Sequence, residues 1–128
     1  MHAGQEWIVD ALGCSPARLA DLGVVRAVCE AIVRDLGLQV VGAPHWRRFP
    51  APGGVTGLYL LSESHLACHT FPEHGLATFN LYCCRPRAEW PWEARLAESL
   101  GAERVELRCV ARGEALATVT APGQGAPR

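Results

Sequence analysis

The apolar positions of this chain change period several times, and each change marks an element. Between Glu6 and Ala11 they alternate, with Trp7, Val9 and Ala11 on one side, as in a strand with one covered face. Gly13-Cys14-Ser15-Pro16 interrupts the pattern, and Ser15 is placed to cap a helix that starts at Pro16. The period then lengthens. Val24, Val25, Val28, Ala31, Ile32 and Leu36 form one stripe of an amphipathic helix that Gly37 ends. Gly23 divides a short turn from this main helix, with Asp21 as a second cap. Leu38 to Val41 predicts a second strand, which Pro44 to Pro50 extends into a loop containing Trp46 as a core candidate. Three more strand runs follow: Val55 to Leu61, His65 to Phe71, and Leu76 to Cys84. The turn residues His74-Gly75 join the last two as a hairpin.

Beyond the loop from Pro86 to Pro91, Trp92, Leu96 and Leu100 recur every four residues, and Gly101 ends that helix. Val105, Leu107 and Cys109 alternate with Glu106 and Arg108, a strand with one wet face. From Pro122 the composition predicts a disordered tail. The order strand, helix, strands, helix, strand predicts an α+β fold, an antiparallel sheet with two helices packed on one face. The opposite face then needs a cover, which predicts a homodimer.

Composition narrows the class. A chain of 128 residues supports a single domain spanning residues 1–128. Its 49% hydrophobic content and net charge of −1 suit an ordinary globule and point to neither nucleic acid nor a membrane as partner. No apolar run approaches the ~20 residues of a spanning helix. Met1 to Glu6 lacks the pattern of a signal peptide, so the expected location is cytoplasmic. Six cysteines form no CxxC pair and are expected to stay reduced there. Cys29 and Cys109 fall in apolar patterns and are expected in the core.

The candidate chemistry is concentrated between two strand runs, at Ser62-Glu63-Ser64-His65 and the following Cys68-His69. Ser64 can attack a carbonyl if a base takes its proton, with His65 or His69 in reach along the chain. The nearest carbonyl is that of Glu63. The competing reading is a polar hairpin whose hydroxyls only satisfy backbone groups. A zinc site of His65, Cys68, His69 and Cys84 is disfavoured, because in a regular strand Cys68 points away from the two histidines. No metal is expected.

Ser62-Glu63-Ser64-His65, the block His69-Thr70-Phe71-Pro72-Glu73 and the thiol of Cys84 together resemble the small prokaryotic S-adenosylmethionine decarboxylases. Arg48-Phe49 and Gly54-Val55-Thr56-Gly57 extend the resemblance, which runs from about Arg48 to Cys84. It implies a proenzyme that cleaves itself between Glu63 and Ser64 into fragments 1–63 and 64–128, turning Ser64 into a pyruvoyl group. That cofactor forms a Schiff base with the substrate amine, so neither metal nor pyridoxal phosphate is implied. The resemblance makes His69 the proton acceptor of processing, assisted by Thr56, which stands where the family usually has serine. Cys84 becomes the proton donor in turnover. Phe49 and Phe71 contact the substrate, Phe71 replacing a usual tryptophan, and Glu73 binds the ribose hydroxyls. Asn80 stands in place of a frequent aspartate and Arg85 in place of glycine. Cys83, by strand alternation, faces away as a buried thiol.

The implied activity is decarboxylation of S-adenosylmethionine to the aminopropyl donor of spermidine biosynthesis, by a homodimer of processed protomers. Two alternatives stay open. One is a pyruvoyl-dependent decarboxylase of ornithine or arginine on the same scaffold. The other is a catalytically silent partner subunit, against which the presence of Ser64, His69 and Cys84 argues.

Overall fold

The alternating run at the amino end forms β1 (Gly4–Leu12), and Trp7, Val9 and Ala11 are all buried on one side of it. The computed structural model describes residues 4–113, so the expected disorder from Pro122 lies outside the described residues. Ser15 caps α1 (Pro16–Leu19), its side chain accepting from the Arg18 N–H at 3.3 Å. Asp21 caps α2 (Leu22–Asp35) through the Val24 N–H at 3.2 Å. The boundary between the two helices falls at Ala20-Asp21 rather than at Gly23, which lies inside α2. A capping carboxylate fixes the helix start more strongly than a second-position glycine breaks it.

The remaining elements are β2 (His45–Arg48), β3 (Val55–Leu61), β4 (Ser64–Phe71), β5 (Leu76–Cys83), α3 (Trp92–Leu100) and β6 (Arg104–Arg112). They make one antiparallel sheet of six strands in the order β2-β3-β4-β5-β1-β6. Between β4 and β5 the chain makes a 3-10 turn over Pro72–His74. Gly75 ends it at φ 59°, a left-handed conformation that costs glycine little.

One face of the sheet meets the helices. Val55, Tyr59 and Leu61 of β3, Leu66 and Cys68 of β4, and Ala77, Phe79 and Leu81 of β5 share a core with Leu19, Val28, Ile32, Trp92, Leu96 and Leu100. This is the predicted α+β layer, with the Ser15-capped turn forming the short α1 ahead of α2. Phe79 and Trp92 pack with ring centroids 5.9 Å apart, joining the sheet to α3. Phe79→Ala is expected to cost about 3–5 kcal/mol in denaturant unfolding, because a closed interior leaves a cavity where the ring was.

Two local expectations are corrected. Leu38 to Val41 is not a strand: Val40 makes one isolated bridge to Leu61, and Gly42 turns the chain at φ 72°. The strand paired with β3 comes later, at His45–Arg48, where Trp46 is half-buried edge-on to Tyr59 at 5.8 Å. Cys109 is exposed, whereas Cys29 is fully buried as expected. β6 is an edge strand that α3 covers only along its first half, over Val105 and Leu107.

Among the described residues, no helix lies on the other sheet face. Leu58 and Leu60 are 48% and 61% exposed there, and Phe71 and Val110 add to the same uncovered apolar surface.

Candidate active site

Leu61 pairs directly with Ser64, so Ser62 and Glu63 alone make the turn between β3 and β4. The Ser62 N–H donates to the Gln39 carbonyl at 2.9 Å, which pins one side of this hairpin tip. Ser64 opens β4 directly opposite Cys83 of β5. Cys83 turns into the core, where burial pushes its thiol pKa up. Cys84, the next residue, lies past the end of β5 and is exposed. Glu63, Ser64 and Cys84 line one narrow cleft, together with Cys83, Arg85 and Arg87. Arg85 grips the Glu63 carboxylate with two bonds, Nε to Oε1 and Nη2 to Oε2, each 2.7 Å.

A second group gathers at the opposite end of the same hairpin. Thr56 and His69 are paired across β3 and β4, and Thr56 Oγ1 lies 3.0 Å from His69 Nδ1. Both line a cavity of about 390 Å³ with Phe49, Phe71 and Glu73. That volume lies within the range of small-molecule sites. Gly54 also borders the cavity, and a Cβ there would come within 2.5 Å of the Thr70 carbonyl oxygen. The Arg47 guanidinium stacks 4.8 Å from the centre of the Phe49 ring.

The two groups do not meet within the chain. Ser64 and His69 are five residues apart on one strand, a separation of about 16 Å, and an odd spacing puts their side chains on opposite faces. His65, the other candidate base, stacks on Tyr82 at 5.6 Å, with Nε2 3.2 Å from Asn80 Oδ1. Asn80 in turn donates to Glu6, which also pairs with Arg112. The Asn80 amide foremost, and then Arg112, hold the Glu6 carboxyl below the usual carboxylate range. Cys68 faces the core, 3.7 Å from the Cys29 sulfur. Among the described residues, no group of three or more His, Cys, Asp and Glu is arranged to hold a metal.

Thr70 was not anticipated in a positioning role. It is buried, accepts from the Val55 N–H at 2.8 Å, and donates to the Leu19 carbonyl at 2.7 Å. It thus ties the start of β3, the end of β4 and α1 together beside His69. Its signal in the sequence was a hydroxyl at a core-facing position of β4, two residues after Cys68. The grip of Arg85 on Glu63 had no sequence signal, since the two residues are 22 positions apart.

The family model for S-adenosylmethionine decarboxylase matches residues 5–113. An S-adenosylmethionine decarboxylase proenzyme of Pyrococcus abyssi is 37% identical over 87 residues, 67% of this chain. The match spans about 60% of the length of that relative. S-adenosylmethionine decarboxylase proenzyme 2 of Halalkalibacterium halodurans is 33% identical over 111 residues, 86% of either chain. The crystal structure of the adenosylmethionine decarboxylase from Aquifex aeolicus superposes with a TM-score of 0.71 at 28% identity, covering 88% of this chain and 92% of that one. The chain belongs to the S-adenosylmethionine decarboxylase family.

Proposed function

We propose that this chain is the precursor of a pyruvoyl-dependent decarboxylase of S-adenosylmethionine, and that it cuts itself between Glu63 and Ser64. The observation that carries the reading is that Glu63, Ser64 and Cys84 line one cleft at the tip of the hairpin. A cofactor derived from Ser64 fits that place. The residue starts a strand at an accessible tip, so a break before it leaves every strand whole. A pyruvoyl carbonyl supplies the electron sink that makes loss of CO₂ from an amino acid feasible.

The chain's own residues divide the remaining work. Ser64 provides the nucleophile of processing. Cys84, on the same cleft, delivers a proton to the substrate carbon that has lost its carboxylate. At the other end, Phe49 and Phe71 offer ring faces to a sulfonium and an adenine, and Glu73 accepts from ribose hydroxyls. His69, oriented by Thr56, takes the processing proton.

These roles require the two ends of the hairpin to act together, which one chain does not achieve. A second copy supplies the missing half. Two copies pairing through that uncovered face set the Glu63–Ser64 tip of one protomer, which is reachable from the open end of β4, beside the His69 end of the other. Sedimentation at micromolar concentration is expected to show a dimer.

The aromatic cavity favours a nucleoside substrate over ornithine or arginine, whose side chains need no adenine platform. The product would be the aminopropyl donor for spermidine. Six free thiols suit a reducing compartment such as the cytoplasm. Among the described residues no helix is long and apolar enough to cross a membrane.

The test joins an intact mass spectrum to release of labelled CO₂ from S-adenosylmethionine, ornithine and arginine. Two fragments divided at Glu63–Ser64, with CO₂ released from S-adenosylmethionine, are expected. An active chain that remains unbroken contradicts the cleavage. Preference for ornithine or arginine overturns the substrate.

A further inference from the structure

Attack of Ser64 on the Glu63 carbonyl does not by itself require the forked ion pair that this turn carries. Glu63 contributes the carbonyl that Ser64 attacks, and its side chain is held by Arg85 through two bonds of 2.7 Å. The other residue of the turn, Ser62, is held through its N–H by Gln39. The tip is thus fastened on both sides, once by backbone and once by charge. Arg87, the second cation of the cleft, is engaged elsewhere, donating to the Leu36 carbonyl at 3.3 Å after the end of α2. Among the described residues, only Arg85 pairs with Glu63.

We propose that Arg85 is a positioning residue for self-cleavage, holding the Glu63 carbonyl in line with the Ser64 hydroxyl and keeping the cut end in place afterwards. The inference rests on the cleavage reading above. Ser64 Oγ attacks the Glu63 carbonyl carbon, the C–N bond breaks, and the hydroxyl proton ends on the Ser64 nitrogen. Loss of the Ser64 Cα proton then expels the Glu63 α-carboxylate by breaking the Cβ–O bond. The dehydroalanine left on residue 64 tautomerises, and water releases ammonia to leave the ketone. Both steps need Glu63 to stay at the tip. A bidentate guanidinium fixes direction as well as distance, which a single-point contact does not. Once the chain is cut, Glu63 carries two carboxylates, and Arg85 remains the cation beside them.

The pair is exposed, so the effect is modest in size and sensitive to salt. The experiment follows cleavage of pulse-labelled chains made by cell-free synthesis, resolved on denaturing gels. Arg85→Ala is expected to cleave about three- to five-fold more slowly than wild type. The exchange Glu63→Arg with Arg85→Glu should recover most of the rate, whereas Glu63→Arg alone should be slower than Arg85→Ala. Added salt should slow wild type toward the rate of Arg85→Ala and leave that variant unchanged. A general loss of fold produces neither the recovery nor the salt dependence. Wild type and Arg85→Ala cleaving at equal rates, or an exchange variant no faster than Glu63→Arg alone, overturns the inference and leaves the cleavage reading intact. A wild-type chain that stays whole overturns both.

Discussion

Chains carrying Ser64→Ala and chains carrying His69→Ala should each stay whole when made separately, and cleavage should return when the two are made together. The first lacks the nucleophile and the second the base. In the proposed dimer, each site takes its Ser64 from one protomer and its His69 from the other. A mixed dimer therefore holds one site with both lesions and one with neither. The intact site belongs to the Ser64 of the His69→Ala chain, so that chain is the one cut. With equal synthesis and random pairing, about half of the His69→Ala chains should be cleaved, since about half have a Ser64→Ala partner. Distinct tags on the two chains let a denaturing gel identify which is cut. Two results would refute the arrangement: cleavage of His69→Ala alone, or no cleavage after co-production of two folded chains. Within one protomer Ser64 and His69 stand about 16 Å apart along β4, which a side-chain rearrangement does not bridge.

Cys84→Ser should separate making the cofactor from using it. Formation of the ester asks for no acid as strong as a thiol, so this variant should be cleaved at least in part. A serine hydroxyl is a far weaker acid than a thiol, and turnover on S-adenosylmethionine should fall by roughly two orders of magnitude or more. Protons delivered to the wrong carbon should leave amino-terminal alanine on the downstream fragment, readable by Edman chemistry. The neighbouring thiol provides the control. Cys83 is buried and its ionisation is suppressed, so Cys83→Ser places a hydroxyl in the core at a cost of about 1–3 kcal/mol in stability. Its folded fraction should turn over normally. Cys84→Ser decarboxylating at the wild-type rate while Cys83→Ser does not would assign the proton to Cys83 instead.

Much of this molecule was readable along the chain because its signals are local. Alternation at Trp7, Val9 and Ala11 located the buried side of β1, and the same rule assigned Cys83 inward and Cys84 outward. Spacing of four marked Trp92, Leu96 and Leu100 as the inner stripe of α3. Ser15 and Asp21 were legible as caps because a cap depends on only three or four residues. The reactive run from Ser62 to His69 stood out for the same reason, and its likeness to a family supplied roles that periodicity does not.

What escaped depends on partners distant in sequence. Leu38 to Val41 has strand composition, but β3 pairs with His45–Arg48 instead. Cys109 has a core pattern, but the insertion of β1 between β5 and β6 leaves it on an edge that α3 does not reach. Thr70 and Arg85 looked like ordinary polar residues until folding brought Leu19 to one and Glu63 to the other. The site divides along the same line. Its residue types are a property of one hairpin's sequence. Their sorting into a Ser64 end and a His69 end follows from strand register: extended chain advances about 3.3 Å per residue and reverses its facing at each one.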